Sequence, residues 1–157
     1  NYRTPETDTA ACAITYNNLA LAYWDLSKDE TVAAAPKLRY QKNAIIAFEA
    51  ALRTAEGSQA LSQKDITAIY HCLGDVHAQM VNVLTAENEI AVSLQKSLYS
   101  YVRSIEEVPE DTPIYQARLS AVVANLRSHK EQLGLASQQA ALNRIPPALI
   151  SQVMVVL

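Results

Sequence analysis

The densest group of potential ligands and bases in this 157-residue sequence is His71-Cys72-x-x-Asp75-x-His77. On a helix, His71 and Asp75 share a face at i, i+4, whereas His77 lies about 200° around from Asp75. Zinc needs three or four ligands converging on one point, so the spacing predicts no metal site. Glu106, Glu107, Glu110 and Asp111 form a second group, flanking Pro109. Paired carboxylates perform acid–base work when a cleft drives their pKa values apart. Next to a proline and just before a helix start, they read instead as negative charge complementing the helix dipole. The three glycines, at 57, 74 and 134, are too scattered for a phosphate-cradling loop, and no G-x-S-x-G, H-E-x-x-H or paired C-x-x-C occurs. The expectation is a chain with no catalytic residues, metal or cofactor. Trp24, the lone tryptophan, is the best single candidate for a contact residue, because aromatics supply much of the energy at interfaces. Packing within its own pair of helices is the competing reading.

Composition narrows the partner classes. The formal net charge is −3 and no segment is a basic stripe, so neither nucleic acid nor anionic lipid is an expected partner. The apolar stretch at Val153–Leu157 is far shorter than the roughly 20 residues that span a bilayer. Asn1 to Asp8 is polar and there is no initiator methionine, which reads as a cytoplasmic chain with no visible signal peptide that starts inside a larger protein or after processing. Cys12 and Cys72 lack metal-ligand spacing and read as two buried thiols, a disulfide between them being the other reading.

The elements that would position these residues are helices. Alanine, leucine, glutamine and glutamate are abundant, β-branched runs are few, and no segment alternates with period two. Thr4 caps a first helix that has Pro5 at its first position, with Tyr16, Leu19, Ala20, Tyr23 and Leu26 along one face. Pro36 starts a second, with Ala44, Ile45, Phe48, Ala51, Leu52 and Ala55 inside and Gly57 as its C′ residue. Ser62 to Asp65 caps a third, whose face runs from Ile66 through Ile69, Tyr70, Leu73, His77, Met80 and Val81 to Leu84. After a break near Thr85–Asn88, a fourth carries Ile90, Leu94, Ser97, Leu98, Tyr101 and Ile105 and stops at Pro109. Asp111-Thr112-Pro113 opens a fifth, with Ile114, Leu119, Val122, Val123 and Leu126 inside and Gly134 at its end. A sixth covers Ala136 to Arg144, and Pro146-Pro147 precedes an apolar tail.

An internal repeat organises these helices. Tyr16-x-x-Leu19-Ala20-x-x-Tyr23 is matched 54 positions later by Tyr70-x-x-Leu73-Gly74-x-x-His77. Ala44-x-x-x-Phe48-x-x-Ala51 is matched 53 positions later by Ser97-x-x-x-Tyr101-x-x-Ser104. On these residues the chain resembles the tetratricopeptide repeat family, which pairs aromatic, Leu, small and aromatic on one helix with small–aromatic–small on the next, then often a proline such as Pro109. His77 departs from the pattern, and so do Arg118 and Leu119 in a third unit beginning at Tyr115. The family's usual period is about 34 residues; here the gap between the two half-motifs of each hairpin is longer than the family's by about 11 or 12, roughly three helical turns.

The resemblance implies an all-α fold: a right-handed stack of antiparallel helical hairpins, a single α-solenoid-type domain of about six or seven helices. Its units are about 5–57, 62–108 and 112–144, with an apolar C-terminal segment 145–157 that caps the stack, starts another helix or makes a homodimer contact. It further implies a protein-interaction role, a partner protein or peptide lying in a concave groove lined by first helices. By resemblance that groove comprises Asn17, Leu21, Trp24, Asp25, His71, Asp75, Gln79, Gln116 and Ser120. These positions carry no Lys or Arg, so the clamp that some members use for acidic C-termini is not expected; an apolar or mildly basic segment fits better. The alternative is a small-molecule-sensing or regulatory helical domain with a pocket near Tyr23, Trp24 and His77, and a catalytic α-bundle is the third.

Overall fold

The computed structural model describes residues 5–56 and 58–157. Thr4 as an N-cap and Gly57 as a C′ residue lie outside the described residues. Among those described there are seven helices and no strand: α1 (Pro5–Ser27), α2 (Ala34–Ala55), α3 (Gln63–Met80), α4 (Glu87–Ile105), α5 (Pro113–Leu133), α6 (Leu135–Leu142) and α7 (Pro147–Val156). The chain divides into two compact units, Asn1–Ile69 and Tyr70–Leu157. The division falls within α3.

In the first unit α1 packs on α2. The short connection makes them antiparallel neighbours, and Asp29 closes it, its Oδ1 accepting from Thr31 N at 2.9 Å and Thr31 Oγ1 at 2.7 Å. These two bonds hold the Asp29 carboxyl below its usual range. Ala13, Ala20, Ala44, Phe48 and Ala51 are all fully buried, because alanines let two helix backbones approach around one aromatic. This sets the rotation of α1. The expected inner face is only partly inner: Ala20 is buried, but Tyr16, Leu19 and Leu26 are exposed and Tyr23 is half-buried. The close contact goes to the small residues, and the larger ones are turned to the flank. On α2, Pro36 lies in the first turn, Ile45 and Leu52 are half-buried, and Gln41 is buried beside the predicted apolar set.

The caps of α3 and α5 follow the sequence. Ser62 Oγ accepts from Asp65 N at 3.1 Å ahead of α3, and Thr112 Oγ1 accepts from Tyr115 N at 3.2 Å ahead of α5, with Pro113 in the first turn. Gly134 ends α5 at φ 95° and ψ 173°, a conformation that side chains strongly disfavour. α4 is bonded to α3 on one side, where Ser97 Oγ donates to Gly74 O at 2.9 Å. On its other side Asn125 Nδ2 donates to Leu94 O at 3.0 Å and Arg118 Nη1 to Ser104 O at 2.7 Å, both from α5. These pairings run antiparallel. The core joins Leu98, Tyr101 and Ile105 of α4 with Tyr115, Val122, Val123 and Leu126 of α5 and with Ala141, Ile145, Leu149 and Val153. Ile114, expected inside, is exposed, and Tyr115 takes the inward position.

The C-terminal segment is therefore a helix with one face in this core. Tyr115 OH donates to Gln152 Oε1 at 3.0 Å and Arg127 Nη2 to Val156 O at 2.7 Å, fixing α7 on α5. No helix among the described residues is long and apolar enough to cross a membrane.

Candidate binding face on α3

The α3–α4 crossing is tight because position 74 is glycine. A methyl there would overlap the Tyr101 ring, so only glycine lets the ring lie flat over the backbone of α3. From that seat Tyr101 OH reaches Asp75, donating to Oδ1 at 2.6 Å. The other carboxylate oxygen, Oδ2, lies 3.6 Å from His71 Nε2 one turn back, and the His71 and Tyr101 rings are 5.6 Å apart, centroid to centroid. His71 Nδ1 is enclosed with no hydrogen-bonding partner among the described residues.

The electrostatics assign the roles. Burial, reinforced by the Asp75 carboxylate, pushes the Tyr101 phenol well above its usual range. Tyr101 is thus a neutral donor that orients Asp75, and Asp75 presents its second oxygen toward His71 at the helix surface. The arrangement fixes a carboxylate and an imidazole side by side, groups that between them can donate and accept hydrogen bonds. No three His, Cys, Asp or Glu side chains among the described residues are grouped to hold a metal. His77 lies in the core, where burial and the charge of Lys96 lower its pKa from 6.5 to about 4. Glu106, Glu107, Glu110 and Asp111 are exposed, and Glu106 pairs with Arg103 at 3.1 Å.

The predicted groove residues fall into three groups. His71 and Asp75 are brought together, with Gln79 exposed one turn further on, accepting from Asn82 Nδ2 at 3.3 Å. On α5, Gln116 and Ser120 are exposed; Ser120 Oγ donates to Gln116 O at 2.9 Å, and Gln116 Nε2 to Glu110 O at 3.4 Å. In the first unit Asn17 is half-buried, while Leu21 and Asp25 are exposed.

Trp24 departs from expectation. It is only 7% exposed, belonging to the core of its unit, with Lys28 Nζ 4.6 Å from its ring centroid. It lies on the same side of α1 as Ala13 and Ala20, so the rotation that buries those alanines buries the indole too. Cys12 is also not as expected: no disulfide joins it to Cys72, and Cys12 is exposed while Cys72 is half-buried. Sequence reasoning missed Tyr101 as a site residue, having counted it only as a core aromatic. It missed as well the neighbouring surface group in which Arg103 lies over the Tyr70 ring at 4.7 Å and donates to Tyr99 OH at 2.9 Å.

Compared with known proteins, the chain matches no family model, no curated protein and no solved structure.

Proposed function

We propose that the chain is a protein-interaction module of tetratricopeptide type, a right-handed stack of lengthened hairpins that holds an extended segment of a partner protein and catalyses nothing. The observation that supports this reading best is the small–aromatic crossing of the repeat, where Gly74, Ser97 and Tyr101 pack as the matching motifs require. The crossing leaves His71 and Asp75 oriented at the surface rather than absorbed into the core. With Trp24 withdrawn, the binding face of the second unit comprises His71, Asp75, Gln79, Gln116 and Ser120. Its one carboxylate and absence of Lys or Arg favour an apolar segment carrying a basic residue. A cytoplasmic setting and the absence of nucleic-acid and membrane partners belong to the same reading.

A random peptide library displayed on phage and panned against the immobilised chain tests it. The expected result is an enriched set of peptides with Lys or Arg among apolar residues. In the triple variant Asp75→Asn, Gln79→Ala, Gln116→Ala their binding weakens at least about tenfold, equivalent to about 1.4 kcal/mol. No enriched set, or full binding by the folded triple variant, would overturn the reading.

A further inference from the structure

The second unit buries two acceptor atoms that have no donor among the described residues. Asn125 and His129 stand one turn apart on α5 and are only 4% and 1% exposed. Asn125 Nδ2 donates to Leu94 O of α4 at 3.0 Å, which fixes the amide and leaves Oδ1 as an acceptor. His129 Nδ1 lies 3.1 Å from Asn125 O. A carbonyl oxygen only accepts, so Nδ1 carries the proton and Nε2 of the neutral ring keeps its lone pair. Neither Oδ1 nor Nε2 has a hydrogen-bond partner among the described residues. Leaving a buried acceptor unpaired costs more than a made bond contributes. Two such acceptors on one side of a helix therefore require a common donor.

Geometry and charge narrow what that donor is. Residues four apart on a helix are neighbours, with about 5–6 Å between their Cβ atoms. The Nδ1 bond draws the His129 ring back along α5 toward Asn125. One molecule bonded to each atom at about 2.9 Å spans a gap of that size. It must supply two hydrogens. A cation is disfavoured, because the charge acting on His129 is that of Arg144, and a buried charge needs a counter-charge. An organic donor would need an opening to solvent, and both side chains are enclosed. Water is neutral, small and donates twice, and buried waters in proteins serve such unpaired groups.

We infer that Asn125 Oδ1 and His129 Nε2 together bind one internal water, which donates a hydrogen to each. The water closes a ring of hydrogen bonds that runs from Oδ1 through the water to Nε2, and from Nδ1 back to Asn125 O. Through Asn125 Nδ2 the ring is tied to Leu94 O. One polar network thus holds α4 to the second half of α5 beside the apolar contacts of Val122 and Leu126.

A crystal structure of the full chain at about 1.5 Å tests the site directly, because buried waters are well ordered. The expected density is a single water within about 3.2 Å of both Asn125 Oδ1 and His129 Nε2. Oxygen-17 relaxation dispersion counts long-lived internal waters in solution. Relative to the chain, Asn125→Leu and His129→Phe are each expected to lose about one such water, and the double variant still about one rather than two. Circular dichroism checks that the variants keep their helices. No water at either atom, a separate water on each, or a loss of two in the double variant overturns the shared site. Where a variant does not fold, the crystal structure of the unaltered chain decides alone.

Discussion

At the scale of single residues, the second unit turns on Gly74. Replacing a mid-helix glycine by alanine ordinarily stabilises a helix by about 1 kcal/mol. Here the added methyl overlaps the Tyr101 ring, and moving the ring breaks its 2.6 Å bond to Asp75. Overpacking of this kind costs about 1–3 kcal/mol, and losing a hydrogen bond to a carboxylate adds to that. Gly74→Ala is expected to lower stability by about 1–2 kcal/mol net in urea unfolding, with an unchanged slope. In a Tyr101→Ala background the obstacle is gone, and the same substitution becomes neutral or stabilising. Destabilisation of equal size in both backgrounds would show that the crossing is not what makes glycine necessary.

At the scale of elements, α7 separates what a segment's composition says from what its faces do. Residues 145–157 carry no charge, which makes the whole segment look like an exposed contact surface. Folded, Val153 is fully buried against α5 while Val155 is 84% exposed. Val153→Ala is expected to cost about 2 kcal/mol, and Val155→Ala less than about 0.5 kcal/mol; paired urea titrations check the contrast. The buried face of α7 is closed within its own unit, leaving Met154 to Val156 as its exposed large apolar residues, a small basis for the C-terminal self-contact that the composition suggests. The same contrast shows how much could be read in advance. Helix number, order and caps were legible, because Ser62, Thr112, Pro113 and Gly134 act locally. The small–aromatic motif picked out Ala20, Ala44, Phe48, Ala51, Gly74 and Ser97 as the close contacts. The rotation of α1 was not legible, since an apolar helix with Ala, Leu and Tyr on several sides offers more than one face, and backbone approach chooses the alanines. For the candidate site, the His71–Asp75 pair followed from i, i+4 spacing alone. Tyr101 joins it only through the register of two different helices, which no local pattern records.

At the scale of the whole molecule, two enclosed histidines tie stability to pH. His77 has its pKa lowered to about 4, first by burial and then by Lys96, and burial lowers that of His129 as well. His129 Nδ1 donates to Asn125 O at 3.1 Å, leaving its other ring nitrogen enclosed without a partner among the described residues. In the unfolded chain both imidazoles titrate near 6.5. Between that value and the folded pKa the unfolded state therefore binds more protons than the native one, and stability falls as pH falls. The contribution is fully present above about pH 6.5 and, for His77, is lost progressively down to about pH 4, a total of roughly 3 kcal/mol. Unfolding free energies at a series of pH values should decline across this window. His77→Phe, which restores the aromatic that the repeat pattern places there, should flatten the decline while leaving the smaller part due to His129. An unchanged slope in His77→Phe would mean that position 77 is not what couples this fold to protons.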